Sequence, residues 1–256
     1  MPAEWEPHEA TWLAWPHERT DWPGKFAPIP WVYADIVRHL SRVERVRILV
    51  QSKTEERQAR RILVKSAVNL GAVDFYIVPT NRGWIRDFGP IFVKKDSRPA
   101  ETAITNWKFN AWAKYDDWKK DNAATQRLIP KLRMRTWAPQ HSEKPLVLEG
   151  GSIDVNGQGT LLTTEECLLS PVQARNPGLE RKAIENMFLE YLGASNVLWL
   201  GNGIAGDDTH GHVDDLARFV NPTTVVTVLE GDPNDPNYKP LQENLSRPLG
   251  LCEPVF

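Results

Sequence analysis

The chain is poor in cysteine. Two in 256 residues, Cys167 and Cys252, exclude a disulfide framework and a cysteine-built zinc cluster. It also lacks an excess of charge. With 31 Lys and Arg against 33 Asp and Glu, the formal net charge is −2 and the pI about 6.3. Without a basic surplus to neutralise a phosphate backbone, general nucleic-acid binding is not expected. No stretch approaches the ~20 apolar residues of a membrane helix. The start, Met1-Pro2-Ala3-Glu4-Trp5-Glu6-Pro7, has neither the basic nor the apolar region of a secretory leader. A reduced, cytoplasmic protein is the expectation, with no membrane partner.

What is present fits a folded chain of one large or two small domains. Hydrophobic residues make up 41% and charged residues 25%, far from a disordered or coiled-coil composition. Tryptophan is abundant at 11. Trp5, Trp12, Trp15, Trp22 and Trp31 crowd a Pro-rich opening without clean period, which reads as a surface wrap pinned by buried indoles.

From Trp31 the pattern turns helical, with Val32, Ile36, Leu40 and Val43 on one face. Residues 46–50 and 75–78 read as strands. The helix between them is expected to start at Ser52 or Thr54, to bury Ala59, Leu63, Ala67 and Leu70, and to end at Gly71. Strands follow at 91–93 and 102–107, and a helix near 117–132 that Pro130 shortens. Asn156-Gly157 marks a hairpin joining 153–155 to 160–162. A helix from about Leu179 to Leu192 ends at Gly193, before a strand at 197–200. A second hairpin crosses Asn221-Pro222, and a helix starts at Lys239. Leu70-Gly71-Ala72 and Leu192-Gly193-Ala194 each precede a strand, a polar loop and a hairpin, an order that suggests repeated α/β modules whose loops converge. No Gly-rich phosphate loop follows any strand.

Three polar clusters carry chemistry: Trp84-x-Arg86-Asp87-x-Gly89-Pro90, Glu149-Gly150-Gly151, and the run Asp207 to Asp215, which packs two His and four Asp into one loop. Facing carboxylates in a pocket repel unless a cation lies between them, and a planar guanidinium matches them bidentately. A His held beside a Glu suits general acid/base work. Blander readings stand beside these. Arg86-Asp87 also reads as a surface ion pair, and Gly150-Gly151 as a tight strand entry. The run His210-Gly211-His212-Val213-Asp214-Asp215 is also similar to the His-x-His-x-Asp-His pattern of metallo-β-lactamase-like hydrolases. On that rival reading His210 and His212 ligate zinc, with Asp214 or Glu149 completing a set that is short of ligands.

Taken in order, these motifs resemble the agmatine deiminase family, also called the bacterial peptidyl-arginine deiminase family. The likeness runs from Met1 to about Leu245 and includes Met1 to His8, Trp15-Pro16, the Trp84 to Pro90 motif, Phe109-Asn110-Ala111-Trp112, Glu149-Gly150-Gly151 and Asp208-Thr209-x-Gly211-His212-x-Asp214. The resemblance implies an α/β (α+β) pentein fold, a β/α-propeller of repeated ββαβ-type modules with pseudo-fivefold symmetry. Here it is expected to be incomplete, a single domain over 1–256 without the C-terminal module or modules and with an aberrant tail at 246–256. It implies hydrolysis of a guanidinium to a urea plus ammonia through a Cys/His covalent mechanism, with agmatine as the small-molecule substrate and no metal or organic cofactor. Asp87 and Asp214 then clamp the guanidinium, Glu149 orients His212, and His212 is the acid/base. Trp84 and Asp208 adjoin the clamp and are the candidates for the substrate's outer end. The family's cysteine lies in a Gly-x-x-His-Cys-type segment that these residues do not contain. Cys252 lacks that setting, and Cys167 reads as a buried structural thiol, so the chain itself is expected to be an inactive guanidine binder. A homo-oligomer is left open.

Overall fold

Parallel strands need a crossover of a dozen or more residues, usually a helix, and the first ninety residues are built that way. The computed structural model describes residues 1–95, 97 and 99–247, and its fold divides into two units. The first unit comprises Pro7–Gly89 and Asp117–Arg133. Its sheet has the order β1 (Ala10–Ala14), β2 (Arg45–Val50), β3 (Val73–Ile77), with both pairings parallel. Helices α1 (Ile29–Leu40) and α2 (Lys53–Lys65) are the crossovers. The central strand carries the core: Val46, Ile48 and Val50 are sealed from solvent and pack with Ala34, Val37, Ala59 and Leu63 from the two helices. Ser52 caps α2, its side chain accepting from the Glu55 N–H at 3.2 Å.

Several expectations are corrected here. Residues 10–14 are an edge strand rather than part of an irregular wrap, and of the five early indoles only Trp15 is buried. The buried stripe of α1 is Ala34 and Val37, flanked by Tyr33 and Leu40, whereas Val32, Ile36 and Val43 face solvent. Both stripes are apolar, and packing against β2 selects one. Helix α2 stops at Lys65, where Ala67 takes a positive φ of 56°, and Gly71 lies in a separate short turn. The predicted helix at 117–132 is two, α4 (Lys119–Asn122) and α5 (Ala124–Leu132), following the single-turn α3 (Ile85–Phe88). Pro130 sits within α5 and does not shorten it.

The second unit comprises Met1–Glu6, Pro90–Asp116 and the residues from Met134 on. It repeats one arrangement: a hairpin, then a third strand parallel to the hairpin's second. β4 (Ile91–Lys95) pairs antiparallel with β5 (Glu101–Thr105), which runs parallel to β6 (Arg135–Trp137). After the small hairpin β7 (Gln140–His141) and β8 (Lys144–Pro145), β9 (Asp154–Val155) pairs antiparallel with β10 (Thr160–Thr164). β10 in turn lies parallel to β11 (Asn196–Leu200). Helices α6 (Glu165–Leu169) and α7 (Arg181–Leu192) lie between those last two strands in the chain. β12 (Ala217–Asn221) and β13 (Thr224–Thr227) form the expected hairpin, and α8 is Tyr238–Ser246. Gly193 ends α7 at a φ of 70°, as expected, so Leu70-Gly71-Ala72 and Leu192-Gly193-Ala194 do not mark the same structure. The core beneath α7 gathers Leu148, Ile153, Leu161, Ile184 and Phe188. None of the described helices is long and apolar enough to cross a membrane.

Phe188 is fully enclosed in this core. Phe188→Ala is expected to cost about 3–5 kcal/mol, read as a lower midpoint in urea with an unchanged slope. A loss under about 1 kcal/mol would show that α7 is not the keystone of the second unit.

Candidate functional site

The second unit buries an ionised network that no local pattern announced. Glu149 lies at the entry to the turn Gly150–Ser152 and is completely buried. The Arg175 guanidinium, equally buried, sends its Nε–H to both Glu149 oxygens, at 3.1 and 3.2 Å. The His212 Nε2 stands 3.5 Å from Glu149 Oε2, and its Nδ1 stands 3.7 Å from Asp214 Oδ1. Burial pushes the Glu149 carboxyl up, but Arg175 and His212 more than offset it and hold the acid below its usual range. Both ring nitrogens of His212 thus have a carboxylate at hand, and the ring itself is 3% exposed.

The loop that presents His212 is held by backbone bonds. Asp207 takes the Thr209 N–H on one oxygen at 2.7 Å and those of Gly211 and His212 on the other at 2.6 and 3.2 Å. Although burial raises it, the Thr209 hydroxyl and these backbone bonds keep the Asp207 carboxyl low. Gly211 adopts a φ of 86°, and its α-carbon packs so closely on α6 that an added Cβ would lie 2.8 Å from Glu166 Cβ and 3.1 Å from the Cys167 nitrogen. Thr164 links the same two segments: its hydroxyl donates to the Gly211 carbonyl and accepts from the Cys167 N–H.

The four Asp and two His of this loop therefore do different things. Asp207 is scaffold. Asp208 points outward, paired with Lys114 and accepting from the Tyr115 hydroxyl at 2.6 Å. Asp214 sits beside His212, and His210 turns to Glu166 and Ser170, at 3.5 and 3.4 Å. The zinc reading of His210 with His212 is corrected by this divergence. Among the described residues, the group with ligand atoms all within 4.8 Å of one another is Glu149, Cys167 and His212. There Glu149 already faces a guanidinium, whose positive charge opposes a divalent cation. Cys167 is fully buried, as expected, but its place beside Glu149 and His212 was not foreseen. Cys252 lies outside the described residues.

Asp87 and Trp84 belong to the first unit. Asp87 is buried in α3, and Trp84, at the start of that turn, packs on Trp22 with ring centroids 5.3 Å apart. Gly89 closes the turn, its N–H bonding the Ile85 carbonyl at 2.8 Å, where a Cβ would meet that same oxygen at 2.5 Å. The approach to α3 is pinned by acids, of which the side chains of Asp21 and Asp121 are buried. Arg82 pairs with Asp21 and Asp117. Asp121 Oδ1 takes the N–H groups of Asn81 and Arg82 at 2.6 and 3.3 Å, while its Oδ2 has no hydrogen-bond partner among the described residues. Burial pushes Asp121 up to about 7. Sequence reading missed Arg175 and Asp121, which act through their side chains on segments 26 and 40 residues away, and it named Asp207 within its run without giving it a role of its own.

Solved structures share this architecture. The agmatine deiminase of Enterococcus faecalis, catalysing its reaction, superposes with a TM-score of 0.85 at 34% identity, covering 99% of this chain and 67% of that one. A cysteine-to-serine variant of the C. jejuni agmatine deiminase with substrate bound gives 0.80 at 31% identity, over 95% and 68%. The fold is therefore that of the pentein proteins. The agmatine deiminase of Stutzerimonas stutzeri is 34% identical over 243 residues, which cover 93% of this chain and 62% of its own. The family described as Porphyromonas-type peptidyl-arginine deiminase matches residues 1–249, and the chain belongs to that family. It spans about two thirds of the length of these relatives.

Two measurements test this geometry. Gly211→Ala is expected to cost about 2–4 kcal/mol, from left-handed strain plus overpacking on α6. Gly206→Ala, at a φ of 88° with nothing within 4 Å of its Cβ, isolates the strain alone. Equal costs would remove the packing argument. For Asp121, the folded carboxyl binds its proton more tightly than the unfolded one, about 7 against 3.8. Its contribution is complete below the unfolded value and is lost as pH rises through about 7, on the order of 4 kcal/mol when fully ionised. Asp121→Asn keeps the acceptor for Asn81 and Arg82 and cannot ionise. Between pH 5 and pH 8, urea unfolding should show the stability of the variant relative to the parent rising by about 2–3 kcal/mol. A parent equally stable relative to the variant at both pH values would refute a protonated Asp121.

Proposed function

We propose that this chain carries the guanidinium-handling residues of an agmatine deiminase: agmatine plus water yields N-carbamoylputrescine plus ammonia, a step toward polyamines in the cytoplasm. The observation that carries the reading is the buried His212 with Glu149 at one ring nitrogen and Asp214 at the other. Asp214 clamps the guanidinium, a role the family resemblance gives to Asp87 as well, and Glu149 sets the tautomer of His212. A thiolate attacks the guanidinium carbon, His212 delivers the proton that leaves with ammonia, and then takes one from the water that cleaves the thiouronium. The complete burial of Cys167 counts against it as the attacking group.

The far end of the substrate separates agmatine from arginine. Agmatine ends in an ammonium, which a carboxylate or an aromatic face receives, and Asp208 and Trp84 are offered for it. Asp208 already shares its charge with Lys114, so the two form a balance that either terminus could tip.

Agmatine and arginine are titrated in a thermal-shift assay, and ammonia release is followed in parallel. Agmatine is expected to raise the midpoint more than arginine does, and Asp87→Asn and Asp214→Asn are each expected to weaken agmatine by at least tenfold, about 1.4 kcal/mol. Ammonia release is expected to be absent, and any release that is seen should survive Cys167→Ser. A chain blind to both compounds defeats the guanidine reading. Stronger binding of arginine assigns the outer end to Lys114. Turnover abolished by Cys167→Ser or by Cys252→Ser would name that cysteine as the nucleophile.

A further inference from the structure

The side chain of Arg175 is completely buried, and its bonds reach three segments of the second unit. Nε meets both oxygens of Glu149, Nη1 donates to the Gln173 carbonyl at 3.0 Å, and Nη2 donates to the Thr209 carbonyl inside the loop that bears His212. The segment that delivers it is itself fixed. Asn176 matches the backbone of Val147 on both sides, taking its N–H at 2.9 Å and donating to its carbonyl at 2.8 Å. Gln173, at a φ of 49°, donates to the Trp112 carbonyl at 3.0 Å. Residues 173–176 thus form a strap laid along 147–149, with Asn176 reading Val147 and Arg175 reading Glu149.

We propose that Arg175 is a positioning residue of the site: its guanidinium fixes Glu149 as a carboxylate and ties it to the loop that carries His212. A lone carboxylate at this depth would take up a proton and cease to orient the imidazole. The guanidinium supplies a permanent counter-charge and separate N–H groups for three acceptors, which a lysine ammonium on a single stem cannot aim in the same plane. It also limits how strongly Glu149 holds a proton on His212. The groups facing the ring are Glu149 at Nε2, Asp214 at Nδ1, Asp207 beneath its backbone, the Cys167 thiol from α6, and Arg175 behind Glu149. Arg175 is the one cation named in this set, so removing it leaves the imidazolium facing acids alone. The catalytic meaning of the proposal rests on the reading of Glu149 and His212 as a working pair.

NMR titration of the carboxyl carbon of Glu149 and the imidazole of His212 tests this without substrate or turnover. His212→Asn identifies the His212 signal among the six histidines. In the parent, Glu149 is expected to titrate below the ordinary glutamate value, held there by Arg175 and His212 against the effect of burial. In Arg175→Met the His212 midpoint is expected to rise by about one unit or more, a tenfold gain in proton affinity, and Arg175→Lys should fall between the two. Protonation of Glu149 above the ordinary glutamate value in the parent overturns the proposal, and so does a folded Met variant whose His212 midpoint is unmoved or lower. A Lys variant that shifts as far as Met also overturns it. If the Met variant does not fold, the Glu149 titration in the parent decides. Because no substrate enters, failure of the deiminase reading in the agmatine assays leaves this result standing, and the reverse also holds.

Discussion

A carboxylate sealed from water is unstable as an ion unless a cation is sealed in with it. The Glu149–Arg175 pair meets that condition in the second unit. Everything described around His212 depends on it. Burial raises the Glu149 carboxyl, and Arg175 together with His212 more than offsets it. Such a pair is weak evidence for stability, since removing two ions from water costs several kcal/mol each before their attraction is counted. Its value is geometric: one planar fork joins the turn at Gly150, the strap at 173–176 and the loop from Asp207 to Asp215.

The same loop shows how a run of charge is reduced to order. Four aspartates in one short loop would repel in water. Here Asp207 is spent on three backbone N–H groups, Asp208 on Lys114, and Asp214 faces the imidazole. Gly211 then lets the backbone press against the first turn of α6, where a side chain would collide. Asp207 holds the backbone of Gly211 and His212, while Glu149 and Asp214 stand at the two nitrogens of the ring.

The two units solve the strand-pairing problem differently. In the first, helices connect strands that all run parallel, so its β2 is buried along most of its length. In the second, tight hairpins supply antiparallel pairs, and a third strand is added in parallel after a longer excursion. Both arrangements leave polar loops after the strands. In the second unit, Glu149, His212 and Asp214 all lie outside the strands.

By itself the sequence determined most elements and the family. Strands at 46–50 and 197–200, the hairpin at Asn156-Gly157 and the stop at Gly193 follow from local patterns that act within a few residues. The ordered motifs from Trp84 to Asp214 were enough to identify the family, since residue types at fixed spacings are read directly. Only the tertiary structure decided which apolar stripe of α1 is buried, because Val32-Ile36 and Ala34-Val37 are both apolar and the choice is made by packing against β2 and α2. Only it revealed Arg175, whose local sequence carries no periodic or motif signal, and which acts on a carboxylate 26 residues away. It likewise placed Cys167 beside His212 across 45 residues. Local propensity is written in neighbouring residues, whereas the burial of a charge depends on which distant segments close over it.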